Sequence, residues 1–276
     1  MIKYAKTYGK YGVPSNIPLE DKFYFDQSQN LAVIADGITR DSFDCPNLNT
    51  ASDEAIFQNY PNPSPAAQAA EVVCNTFANQ RHIQDLEKVM HLANANVHKL
   101  NQNVECDYLE HDYAACVAAS AYIKNHTLNY AYVCDCGIIV WDKNGNIRFK
   151  TSDDKLLVDP YIAQALEKTP WHLPEGRVVV RRDFRNNPDN IQDGKCVSYG
   201  ALTGEKNAEF FIKHGSVALQ EGDTVAVFSD GFSPYFKLPN FFEHLDNLES
   251  LEKLVEAWEN KPNFKSEKTI IVMSLD

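Results

Sequence analysis

The sequence predicts an α+β fold in one domain spanning residues 1–276, with a sheet-on-sheet core flanked by helices. Three observations predict it. Strand-like segments stand before, between and after two helix blocks, both early helices are strongly amphipathic, and no Pro/Gly-rich linker divides the chain. A hydrophobic fraction of 44% over 276 residues suffices for a sizeable core.

Taken in order, Lys22-Phe23-Tyr24-Phe25 and Leu31-Ala32-Val33-Ile34-Ala35 read as a hairpin joined by the polar stretch 26–30. An Asn/Pro/Ser-rich loop is expected over 41–64. Ala66, Ala69, Ala70, Val73 and Phe77 then recur at helical spacing, behind Ser64 as N-cap and Pro65 at the first helical position. Leu86, Val89, Met90, Ala93, Val97 and Leu100 line one face of a second helix. Both stripes read as faces that cover a sheet.

Strands follow at 114–123, 128–134, 137–141 and 147–150, and Asn144-Gly145 marks a tight hairpin between the last two. A short helix is expected over 160–168 with Asp159 as its cap, and 170–194 reads as loop. Strands near 210–212 and at 224–228, a helix at 248–258 and a strand at 269–273 complete the chain.

Composition excludes several functions. Lys+Arg 26 against Asp+Glu 38 gives a net charge of −12, so a nucleic-acid partner is disfavoured, because phosphate backbone needs a positive surface. An acidic balance suits a protein that holds cations, although most acidic chains are simply well solvated. The seven cysteines include no C-x-x-C pair and read as reduced packing residues, with Cys134 and Cys136 on one face of an apparent strand. The opening MIKYAKTYGKYG has no apolar signal-peptide core, and no run of about eighteen apolar residues exists to span a membrane. A soluble cytoplasmic chain is expected, of undetermined oligomeric state. Its dispersed histidines form no H-x-x-x-H, His111-Asp112 reads as a turn, and P-loop, G-x-G-x-x-G and G-x-S-x-G motifs are absent.

Chemistry concentrates where two apolar strands each end in Asp-Gly. One runs Leu31-Ala32-Val33-Ile34-Ala35-Asp36-Gly37, the other Thr224-Val225-Ala226-Val227-Phe228-Ser229-Asp230-Gly231. A buried strand that delivers a carboxylate at its end supplies an oxygen ligand of the kind Mg²⁺ and Mn²⁺ prefer, and glycine lets a backbone carbonyl approach. Asp-Gly alone equally makes a plain turn.

The order of segments resembles the protein phosphatase 2C family. Glu20-Asp21, a hairpin and Val33-Ile34-Ala35-Asp36-Gly37 resemble its opening. Asp135 within the strand–turn–strand 128–140, Thr151-Ser152-Asp153-Asp154 and Ala201-Leu202-Thr203-Gly204 resemble its middle segments. Gly222-Asp223 through Ser229-Asp230-Gly231 and the closing Thr269-Ile270-Ile271-Val272 are similar to its end.

This resemblance implies a β-sandwich of two antiparallel sheets flanked by helix pairs, four layers in all, with a two-metal centre that activates water to attack a phosphomonoester of a phosphoprotein. Asp36 would bridge both ions, the Gly37 carbonyl would bind one, Asp230 the other, and Asp21 would hold their waters. Asp135 would serve a third, weaker ion. Three positions depart from the family pattern. Ser266-Glu267 replaces the closing aspartate pair, so Glu267 is the expected substitute ligand. The phosphate-gripping arginine falls on Asn16, leaving Arg40 as the substrate-binding candidate, and 36–40 lacks the family's glycine pair. Two functions compete: a protein serine/threonine phosphatase, and a low-activity phosphatase-like module that binds or regulates a partner.

Overall fold

Period-two alternation of apolar residues decides how the strands stack. In the computed structural model, which describes residues 1–9, 17–38, 52–80, 85–102, 114–170 and 173–275, twelve strands form two five-stranded sheets and one small hairpin. The strands are β1 (Ile2–Tyr8), β2 (Lys22–Asp26), β3 (Leu31–Gly37), β4 (Cys116–Lys124), β5 (Thr127–Val133), β6 (Gly137–Trp141), β7 (Ile147–Lys150), β8 (Ile191–Gln192), β9 (Lys195–Cys196), β10 (Lys213–Ala218), β11 (Thr224–Phe228) and β12 (Lys268–Ser274). The first sheet has the order β1-β12-β11-β6-β7, the second β10-β5-β4-β3-β2, and every pairing is antiparallel. The hairpin pairs β8 with β9.

Alternate residues of the first sheet feed two different cores. Ile138, Val140, Val225, Val227, Ile271 and Met273 join the core shared with β3 and β4. Their neighbours Ile139, Trp141, Ala226, Phe228, Ile270 and Val272 face the other way, into a second core.

Of the helices, α1 (Asp53–Asn59) is short, while α2 (Pro65–Ala78) and α3 (Leu86–Asn101) lay Ala69, Val73, Phe77, Met90, Ala93 and Val97 on the core that includes the second sheet. Ser64 caps α2 as expected, its Oγ accepting the Ala67 N–H at 3.1 Å. α4 (Asp154–Ala165) and α5 (Pro174–Val179) follow β7. On the outer side of the first sheet, α6 (Phe241–His244) contributes Phe241 and α7 (Leu248–Trp258) contributes Leu251 and Val255. The result is the expected helix–sheet–sheet–helix layering.

Several local expectations change. Helix α4 begins at Asp154, capped by Asp153, whose Oδ1 accepts the Leu156 N–H at 2.9 Å, so Pro160 lies inside the helix. Asp153 and Asp159 are equally good caps by residue type; the backbone decides between them. Part of 170–194 is helical, as α5 followed by a π-turn over Val180–Phe184. Residues Lys206–Phe211 form a 3₁₀ turn where a strand was expected nearby, and the strand starts at Lys213. Cys134 and Cys136 sit in the turn between β5 and β6, Cys134 with φ 66°, so the shared-face argument for a strand does not apply. Strand β1 was unanticipated; its residues are mostly half-buried and mix lysines with apolar side chains.

Candidate metal centre

Antiparallel pairing brings distant carboxylates to one end of the sandwich. Lys22 stands opposite Ala35, so one further step of the same register sets Asp21 beside Asp36. Strand β11 pairs with β12, and the segment after it returns a hydrogen bond to that strand: the Ser229 N–H donates to the Thr269 carbonyl at 3.0 Å. Asp230 then opens a 3₁₀ turn, Asp230–Phe232.

Asp21 is the most tightly held member. Ser229 Oγ and Thr269 Oγ1 donate to its Oδ2 at 2.8 and 2.7 Å. Its backbone N–H donates to Glu267 Oε1 at 2.9 Å, and the Glu20 N–H donates to Glu267 Oε2 at 3.0 Å. Glu20 is itself buried and accepts the Tyr60 hydroxyl at 2.8 Å and Ser64 Oγ at 2.5 Å, which ties the site to the start of α2. Asp21 Oδ1 is buried without a hydrogen-bond donor.

The electrostatics follow from crowding. Burial first, then Asp21, Asp230 and Asp135, push the Asp36 carboxyl well above its ordinary range. Burial and then Glu267 raise Asp21 to about 7, against hydrogen bonds from Thr269 and Ser229 that lower it. Asp135 is also raised to about 7, by burial, Asp230 and Asp153 in that order. Asp21 and Asp36 repel each other as neighbouring buried carboxylates, Asp36 being the one held higher. Such a field fits a hard divalent cation, whose charge would offset the repulsion and whose coordination would use the orphaned Oδ1.

Among the described residues, however, no three His, Cys, Asp or Glu side chains stand together as a completed metal site. Mg²⁺ keeps several waters and uses as few as one or two protein carboxylates, so the donor chemistry fits although protein atoms alone do not close a coordination shell.

The sequence-derived residues divide accordingly. Asp21, Asp36, Asp135 and Asp230 share one field, although Asp230 is exposed and Asp36 and Asp135 are half-buried. Glu267, the expected substitute ligand, accepts a backbone amide at each oxygen, which makes it a clamp on Glu20-Asp21. A Cβ at Gly37 would lie 2.8 Å from the Ala66 carbonyl carbon, so close passage of α2 already demands glycine there. Arg40, like Asn16 and His111-Asp112, lies outside the described residues. Sequence reasoning missed Ser229, Thr269, Tyr60 and Ser64 as donors to the buried acids. Ser229 and Thr269 adjoin the motifs that were noticed, but nothing in sequence spacing pairs Tyr60 or Ser64 with Glu20.

Comparison with known proteins gives the family and the fold. A model of the Protein phosphatase 2C family matches residues 8–267. No curated protein matches. Among solved structures, the serine/threonine phosphatase PstP/Ppp of Mycobacterium tuberculosis aligns at 16% identity with TM-score 0.60, covering 100% of both chains. The PstP catalytic domain in complex with 2 manganese ions aligns at 14% identity and TM-score 0.59, covering 100% of this chain and 99% of that one. RsbX in complex with magnesium aligns at 12% identity and TM-score 0.54, covering 99% and 97%. At these identities the structures show a shared fold.

Proposed function

Because the chain belongs to the protein phosphatase 2C family, we propose that it is a metal-dependent phosphomonoester hydrolase acting on phosphoserine or phosphothreonine in proteins. The observation that carries the reading is the mutual field of Asp21, Asp36, Asp135 and Asp230, which bound cations would relieve. Mg²⁺ or Mn²⁺ is the proposed cofactor, as two ions with a third at Asp135. Asp36, Asp230 and the Gly37 carbonyl would be ligands, and manganese and magnesium in the PstP and RsbX structures support the choice. Such ions, when bound, lower the pKa of water and offset charge on phosphoryl oxygens.

The chain's own residues supply the rest. Glu267 fixes the Asp21 backbone, while Ser229 and Thr269 occupy Oδ2, so Oδ1 is left as the available acceptor. Burial and the neighbouring carboxylates favour the protonated form of Asp36, which opposing charge or rising pH would ionise. Arg40 is the proposed partner of the substrate phosphate.

The test is hydrolysis of p-nitrophenyl phosphate and a phosphothreonine peptide with and without Mn²⁺, beside Asp230→Asn. Turnover is expected to require Mn²⁺ and to collapse in the variant. A second reading, a phosphatase-like module that binds or regulates a partner, is favoured by one observation: Glu267, which replaces part of the closing motif, holds backbone instead of standing free. Absence of metal-dependent turnover on both substrates would favour it.

A further inference from the structure

Strand β2 ends the second sheet and pairs with β3 along one edge; among the described residues, no backbone hydrogen bond reaches its other edge. Its five residues, Lys22-Phe23-Tyr24-Phe25-Asp26, include no proline or glycine, and the register with β3 runs without a bulge, so nothing in the backbone blunts that edge. Phe23 and Phe25 share one face and stay 37% and 43% exposed, with ring centroids 6.4 Å apart and planes within 9° of parallel. Tyr24 points the other way and packs on the core. The two ends of the strand carry opposite charge. Asp26 receives hydrogen bonds from Gln29 and Ser28 that hold its carboxyl below its ordinary range, so it is ionised at neutral pH. Lys22 Nζ donates to the Leu19 and Asp21 carbonyls, both at 3.3 Å, which uses two of its three N–H groups.

We propose that this edge joins two copies of the chain, their β2 strands paired antiparallel about a two-fold axis at Tyr24, which merges the two second sheets into one. The charge pattern selects both the partner and the register. Centred on Tyr24, Lys22 stands opposite Asp26 of the partner subunit, an attractive pair that the axis repeats, and Phe23 stands opposite Phe25 of the partner subunit. Centred on Phe23 instead, Asp26 would face Glu20 of the partner subunit; centred on Phe25, it would face Tyr24 of the partner subunit, and no ion pair would form. A five-residue edge buries less than the roughly 1,600 Å² of a standard interface, and a net charge of −12 opposes self-association. The dimer is therefore weak, with an expected Kd on the order of 10 μM. The interface stands independently of the phosphatase reading.

The full chain in EDTA is followed by sedimentation velocity up to about 300 μM, well above that Kd. A reversible monomer–dimer equilibrium is expected, and Lys22→Asp, which sets like charges opposite at both pairs, should weaken it by about tenfold. Oxidative cross-linking reads the register separately, measured over the wild-type background from native thiols such as the exposed Cys196. Phe23→Cys mixed with Phe25→Cys should give a disulfide-linked dimer, because directly opposite residues lie within disulfide reach. Either variant alone should stay at background, since its two cysteines would be diagonal neighbours roughly 7–8 Å apart. Both cysteines replace exposed side chains, so cross-linking decides the matter should Lys22→Asp fail to fold. A monomer throughout the range, a dimer that folded Lys22→Asp leaves unchanged, or a mixture that links no more than the single variants would overturn the proposal.

Discussion

The two Asp-Gly strand ends look alike in sequence and do different things in the fold. At the end of β3, Asp36 and Gly37 remain in the ladder opposite Val117 and Cys116, and Asp36 stays half-buried under the repulsion of three other carboxylates. At the end of β11 the chain leaves the sheet, and Asp230-Gly231 opens a 3₁₀ turn with the aspartate exposed. Both glycines serve close packing, Gly37 against Ala66 and Gly231 against the start of β12, where a Cβ would lie 2.0 Å from the Glu267 carbonyl oxygen. A repeated motif therefore marks two rims of one carboxylate field without implying one local geometry: the buried rim is crowded by other acids, and the exposed rim meets solvent.

The strongest way to break that contrast is to neutralise each rim in turn. Asp36→Asn should reduce metal-dependent kcat/KM on the order of 10³-fold, yet raise the Tm of the metal-free protein, since it removes a carboxyl from the crowded pair with Asp21. Asp230→Asn should lose activity too, but leave the metal-free Tm nearly unchanged, because that side chain is exposed. Equal Tm shifts in the two variants, read by thermal unfolding in EDTA, would erase the distinction.

Next in size is the clamp. Glu267→Ala should weaken Mn²⁺ binding about ten- to hundredfold, as loss of a group that positions a ligand does, while Ser266→Ala should change it little. A larger loss in the serine variant would return the closing motif to direct ligation. The glycines give a smaller, structural effect. Gly231→Ala should cost about 1–3 kcal/mol by overpacking and exceed Gly37→Ala, as its closest clash is shorter. Urea denaturation of both variants measures the order.

The last effect is on pH. Asp21 and Asp135 are held near 7, above the ordinary 3.8, so the folded state binds more protons than the unfolded state between those values. Metal-free stability should therefore fall as pH rises from about 4 towards 7. The stabilisation conferred by Mn²⁺ should grow over the same window, because metal and proton compete. Tm measured across that range with Mn²⁺ and with EDTA reads both trends.

Much of this was legible in the sequence where periodicity or residue type decides alone. The 137–141, 147–150 and 224–228 strands and the 248–258 helix appear at their expected limits, and Ser64 caps α2. Pattern reading failed where tertiary contacts choose between equal local options: Asp153 over Asp159 as a cap, a turn at Cys134 in place of continued strand, and β1 docking on β12. Asp36 and Asp230 were visible because strand ends announce themselves, whereas Asp21 and Asp135 came from the order of segments that resembles the family. The donors around Asp21 and Glu20 were not, since Thr269 and Tyr60 reach them only through sheet pairing and the packing of α1.

The central claim is that both rims act on one cation. Calorimetric titration of Mn²⁺ into the wild type, Asp36→Asn and Asp230→Asn tests it most directly. Saturable binding in the wild type, weakened by at least about tenfold in each variant, is the expected result. Wild-type affinity in Asp230→Asn, or no saturable Mn²⁺ binding in the wild type, would contradict it.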